Sequence, residues 1–176
     1  MDIDYQIEKL KKISIRGRFA FGMKCLEQYA IENELSDKCI NKIFDSLWEF
    51  TSSDELDIWE EKISDINPKY ILNINPENIE TEFPTITLDE YYEIKEFYKS
   101  SDKHFVSMVS EIIEIGVGNL YGGTDDYSSW TLNPTLELIK LAELNLKQIP
   151  KIENFEFSKF SEDNGWGNKI NRKSLE

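Results

Sequence analysis

Residues 102–123 read DKHFVSMVSEIIEIGVGNLYGG. Phe105, Val109, Ile112, Gly116 and Leu120 recur at three- and four-residue steps, which places them along one side of an α-helix. Val106, Met108, Ile113 and Ile115 fill the neighbouring positions, so this helix is expected to be enclosed on more than one side. Asp102 stands where an N-cap belongs. Gly116 and Gly118 are expected to admit the close approach of another helix. Gly122-Gly123 is expected to end the run. The glycine density of 116–123 resembles that of a phosphate loop. It closes a helix, however, instead of joining a strand to a helix N-terminus, so its amides would face the wrong way for an anion.

The same helical spacing extends in both directions. Ile7, Leu10 and Ile13 form a short stripe over 4–13. A helix over 16–34 carries Phe19, Met23, Leu26 and Ala30 on one face, widened by Phe21, Cys25 and Tyr29, which predicts a central position. Ser36 is expected to cap a third helix bearing Ile40, Ile43, Phe44, Leu47 and Trp48, broken by Thr51-Ser52-Ser53. Asp54 is expected to cap the next, whose stripe is Leu56, Trp59, Ile63 and Ile66. Asn67-Pro68 ends it. Pro68, Pro76 and Pro84 mark 67–86 as irregular, with single helical turns. Thr87-Leu88-Asp89-Glu90 predicts a capping box, opening a helix whose apolar face is Leu88, Tyr91, Tyr92, Ile94 and Tyr98. Pro134 is expected in the first turn of a last helix. Leu136, Leu138, Ile139, Leu141, Ala142, Leu144 and Leu146 surround that helix and predict deep burial. The tail 150–176 is irregular, with Phe155, Phe157 and Phe160 as staples and a short strand at 153–158. Together these readings predict one compact all-α domain spanning 1–176, with roughly six to eight helices.

Composition limits the function. The chain has 176 residues and is 40% hydrophobic and 12% aromatic, enough for a core and against disorder. No apolar run approaches the length of a membrane span. The start MDIDYQIEKLKK lacks an apolar leader segment, so a cytoplasmic location is the expectation. Cys25 and Cys39 fall in apolar helical stretches and are expected as inert buried thiols. Net charge is −14, which argues against nucleic acid as a ligand. The basic run Lys9, Lys11, Lys12, Arg16 and Arg18, partly offset by Asp2, Asp4 and Glu8, is expected as a solvated helix face.

Catalytic chemistry finds little support. His104 is the only histidine, and its place in a helix first turn predicts a structural or solvated role. Two cysteines without nearby histidines do not make a zinc site. GxSxG and the P-loop motif are both absent. Asp125-Asp126 lacks the alternating ligands of a calcium loop. The expectation is therefore no enzyme, no cofactor and no metal.

The acidic charge is concentrated. Residues 54–126 hold 18 Asp and Glu against 5 Lys, a balance of −13 that accounts for nearly the whole excess. Glu55, Asp57, Glu60, Glu61 and Asp65 share one helix; Asp89, Glu90, Glu93 and Glu96 share another. Asp125 and Asp126 lie in a glycine-flanked loop with Tyr121, Tyr127 and Trp130. A charged face of this kind keeps a protein soluble and monomeric, and the loop aromatics can serve packing; read functionally, the same acids capture a basic protein electrostatically and the aromatics anchor it and slow its release. The expected contact set is Glu55, Asp57, Glu60, Glu61, Asp89, Glu90, Glu93, Tyr121, Asp125, Asp126, Tyr127 and Trp130.

With its LYGGTDDYSSW segment (120–130) and its SEDNGWG segment (161–167), this small, acidic, helical chain resembles the immunity proteins of bacterial polymorphic-toxin and contact-dependent systems. The resemblance covers the second half of the chain in motifs and the whole chain in composition. It implies binding to a cognate toxin domain, often a basic nuclease, whose active site or substrate surface is blocked. It implies no catalytic residues. Two other readings stand beside it. One is a regulatory or scaffold protein that self-associates through the helix at 102–121. The other is a hydrolase using carboxylates and a divalent metal, which requires acids converging in one pocket with raised pKa values.

Overall fold

The computed structural model of the chain describes residues 3–175, and nine α-helical segments run through them. These are α1 (Ile3–Lys12), α2 (Ile15–Glu32), α3 (Lys38–Ser52), α4 (Leu56–Asp65), α5 (Pro68–Ile71), α6 (Ile79–Glu82), α7 (Leu88–Ser100), α8 (Lys103–Val117) and α9 (Ser129–Asn145). Three 3-10 turns complete the chain, at Ile152–Phe155, Asp163–Gly165 and Arg172–Leu175. Asp2, beside the N-terminal lysines in sequence, and Glu176 lie outside the described residues.

Short polar side chains set the helix starts by accepting from orphan amides. Asp102 accepts from the His104 amide at 2.7 Å, and its carboxylate also lies 3.0 Å from the His104 ring. The Tyr29 hydroxyl donates to the same carboxylate at 3.0 Å. The single histidine therefore belongs to a helix cap. Thr87 and Glu90 form the full capping box of α7. Two caps shift by one residue. Asp37, not Ser36, accepts from the Cys39 amide at 2.7 Å. Glu55, not Asp54, holds the cap position of α4, where the Ser53 hydroxyl accepts from its amide at 3.0 Å. Asp54 instead pairs with Lys169 of the tail.

Helix α2 is the centre. Ile15, Phe19, Ala20, Phe21, Met23, Cys25 and Leu26 are all buried, on every side of the helix. It packs against α3, α8 and α9, while α8 and α9 pack on each other. An aromatic cluster joins α2, α3 and α4. Phe19 and Phe50 have ring centroids 4.4 Å apart, and Trp59 stands 5.9 Å from Phe19 and 4.9 Å from Phe50. Burying each such ring stabilises the fold by roughly 1.5–3 kcal/mol. Gly116 makes the space: a Cβ there would lie 2.4 Å from the Trp59 indole. Gly118 lets the α9 backbone approach, since a Cβ would meet the Trp130 carbonyl at 3.0 Å. Cys25 and Cys39 are buried free thiols, and burial pushes Cys39 up to about 11.

Several expectations fail in instructive ways. Gly122-Gly123 does not end α8; the helix stops at Val117 with Gly118 as its cap. Helix α9 starts at Ser129, so Pro134 lies inside it and not in its first turn. Tertiary contacts from a buried arginine of α2 set that start. Helix α9 is not enclosed all round. Leu138, Ile139 and Ala142 are buried, yet Leu144 is 79% exposed, because the helix meets α2 and α8 with one face only. On α7, Leu88 and Tyr92 are likewise exposed, while Tyr91, Ile94 and Tyr98 are buried. Asp65 is not on the acidic surface. It is buried and accepts from the amide and hydroxyl of Thr85, both at 2.7 Å, which closes the 67–86 segment onto α4. Lys95 holds the same segment, donating to the Ile74 carbonyl at 2.9 Å and to Asn75 at 2.8 Å.

No strand forms at 153–158 or elsewhere among the described residues. Phe155 is buried within a 3-10 turn, Phe157 is 51% exposed, and one isolated antiparallel bridge pairs Ile13 with Lys159. The reason is the lack of a partner. The extended backbone at 13–14 is too short to template a ladder.

Candidate functional site

The acidic surface divides into two halves with different fates. On α7, Glu93 is held by Lys38 at 2.5 Å and Glu90 by Lys42, both lysines being on α3. Glu96 pairs with Lys99 at 2.6 Å. The Lys42 ammonium, followed by the Thr87 amide, holds the Glu90 carboxyl down at about 2. Asp89 is exposed on the same helix.

On α4, Glu55, Asp57 and Glu61 are exposed and form no ion pair among the described residues. Lys62 turns away from them to Glu49 of α3, at 3.1 Å. Trp59 anchors the opposite face, its indole N–H donating to the Ser46 carbonyl at 2.8 Å. That fixes the acids outward. Glu60 accepts from the Tyr121 hydroxyl, which brings the α8–α9 connection against α4. The hydrogen bond to Glu60 and the charges of Glu60 and Asp57 push the Tyr121 phenol above its ordinary value. Tyr121 is nonetheless 84% exposed, and Trp130, in the first turn of α9, is 70% exposed.

The rest of the loop faces elsewhere. The Tyr127 ring lies under the Lys11 ammonium, 4.9 Å from its centroid, and Asp126 borders a groove lined by Lys9, Lys11, Lys12 and Lys159. Asp125 is exposed beside it. The twelve expected contact residues therefore do not form one surface. Glu55, Asp57, Glu60 and Glu61 lie on and beside α4, where Glu60 holds Tyr121; Glu90 and Glu93 face α3, with Asp89 exposed on the same helix; Asp125, Asp126 and Tyr127 lie toward α1; and Trp130 stands exposed in the first turn of α9.

A buried arginine of α2 holds this loop. Arg16 and Arg18 are buried, not part of a solvated basic face. Arg18 donates to the carbonyls of Leu10 at 3.0 Å, Ser128 at 3.2 Å and Tyr127 at 2.8 Å, and to the Thr131 hydroxyl at 2.8 Å. Its guanidinium also sits over the Phe160 ring at 5.2 Å. Burial without a carboxylate partner pulls it down to about 9, still cationic at neutral pH. Binding the carbonyls of Tyr127 and Ser128 fixes the start of α9 five residues before Pro134. Arg16 donates to the Gly167 carbonyl at 3.0 Å and the Ser53 carbonyl at 2.8 Å, with Asp163 at 3.7 Å. The segments 120–130 and 161–167 thus converge on the first turn of α2. They also touch directly, Thr124 donating to the Asn164 carbonyl at 2.5 Å. The available signal was an Arg-Gly-Arg in an otherwise apolar helix, a pattern that argues for enclosed, hydrogen-bonded arginines.

No protein-family model, curated protein or solved structure matches the chain. Among the described residues, no three His, Cys, Asp or Glu side chains converge as a metal site requires. Burial raises the Glu111 carboxyl, opposed by the charge of Lys69 and reinforced by those of Glu114 and Glu137. The stripe of α8 packs within the chain: Phe105, Val109, Ile112 and Gly116 are buried. No helix among the described residues is long and apolar enough to cross a membrane.

Proposed function

We propose that this protein is a non-enzymatic immunity protein that binds and neutralises a cognate toxin domain of basic character. The docking surface is the outer face of α4 together with Tyr121 and Trp130. One observation carries this reading: unpaired Glu55, Asp57 and Glu61 lie beside a tyrosine that is 84% exposed yet held in place by Glu60. A large aromatic ring left in water beside uncompensated charge has the composition of an interface anchor. Complementary charge speeds encounter, and burial of Tyr121 and Trp130 slows release. The bound helical body would cover the toxin's substrate surface, so inhibition is steric and needs no catalytic group.

The test is co-expression with the toxin domain encoded beside this gene, then pull-down at low and high salt. The expected result is rescue of growth and a complex that weakens as salt rises. Asp57→Lys, Glu60→Lys and Glu61→Lys combined should weaken it by about 100-fold. Growth rescue and complex formation that survive this triple reversal unchanged would refute the assignment of the surface. Absence of both in the unaltered protein would refute the function.

A further inference from the structure

A second surface of opposite charge lies at the end of α1. A groove of about 600 Å³ opens between the last turn of α1 and residues 156–161. Lys9, Lys11, Lys12 and Lys159 rim it, and Ile13 and Phe160 supply its apolar lining. Its walls are preformed: the Phe160 amide donates to the Lys12 carbonyl at 2.8 Å, and the Ser14 amide to the Ser158 carbonyl at 2.9 Å. Lys9 pairs with Glu156, and Lys11 with Glu8 at 2.9 Å. Lys12 and Lys159 form no ion pair among the described residues. Beneath the groove lies Arg18, stacked on Phe160 and bound to carbonyls and a hydroxyl but to no carboxylate. A buried cation without a counter-ion keeps its field, and that field reaches the groove through the ring.

We propose that this groove binds a short acidic peptide segment that carries one apolar side chain. Lys12 and Lys159 take its carboxylates, and the apolar side chain rests on Phe160. The charge limits the ligand. Asp126 also borders the groove, so the local excess suits about two carboxylates and no more. A long polyanion would extend onto a chain of net charge −14 and be repelled. A phosphate lacks the cradle of helix N-terminal amides that it would need, because the groove is bounded by the C-terminal end of α1.

The experiment is an NMR titration of the whole protein with the acetylated pentapeptide SELES, compared with SQLQS and with inorganic phosphate. Binding should shift the amides of Ile13, Phe160 and Ser161. Lys12→Glu combined with Lys159→Glu should weaken SELES by about tenfold or more, and Lys12→Gln with Lys159→Gln by less. The α4 triple reversal should leave the titration unchanged, which separates this surface from the toxin-facing one. Equal shifts with SQLQS, stronger binding of phosphate, or full binding by the Lys12→Glu, Lys159→Glu variant would each overturn the proposal.

Discussion

Helices α4 and α7 carry the same number of acids, four each, and end with opposite roles. The difference lies in a third helix. The N-terminal half of α3 presents Lys38 and Lys42 to α7, and its C-terminal half presents Glu49 toward α4. Glu90 and Glu93 of α7 are therefore neutralised by α3, and Glu96 by Lys99 of α7 itself, which leaves Asp89 as the one α7 acid without an ion pair among the described residues. The acids of α4 meet no cation, and the single lysine of α4 is drawn away by Glu49. Acid count along a chain thus says little about where a negative surface remains. The charge pattern of the packing neighbour decides it.

The largest effect should come from breaking the support of the α4 face. Trp59→Ala removes the indole that fills the space over Gly116, and thermal or denaturant unfolding should show a loss of about 3–5 kcal/mol. Binding should fall with it, because the acids would no longer be held outward. Next in size is the contrast between the helices. Reversing Asp57, Glu60 and Glu61 should weaken the basic partner by about 100-fold, whereas reversing Asp89, Glu93 and Glu96 should change it by less than about threefold. Equal losses from both sets, measured by calorimetry, would erase the distinction between the two helices.

The smallest effect concerns Glu90. Its folded pKa of about 2 lies below the ordinary carboxylate value. By linkage, the stabilisation is present above the unfolded pKa near 4.5 and is lost as pH falls through that value toward 2. The side chain is 38% exposed, so solvent screening limits the contribution to about 1 kcal/mol or less. Glu90→Gln should lower the unfolding midpoint slightly at pH 7 and leave it nearly unchanged at pH 2. A variant that differs equally from the parent at both pH values would show that the ion pair does not stabilise the fold.

Much of the architecture was legible because helix formation is local. The stripes Phe105–Val109–Ile112 and Trp59–Ile63–Ile66 are buried as their spacing requires, and the Thr87–Glu90 capping box forms within four residues. The site was less legible, because pairing is not local. Glu93 and Lys38 are 55 positions apart, and Tyr121 and Glu60 are 61 apart. Periodicity does not connect such positions.

The amino-acid sequence alone determined an all-helical body, the core face of most of its helices, and an acidic middle third. These depend on the 3.6-residue repeat and on charge, both properties of neighbouring residues. Tertiary structure alone decided which acids stay unpaired, that Arg16 and Arg18 lie inside and hold two distant segments together, and that lysines near the N-terminus meet Lys159 in one groove. Each of those outcomes depends on which helices pack side by side, because a charge is neutralised by the group across from it in space and not by its neighbours along the chain.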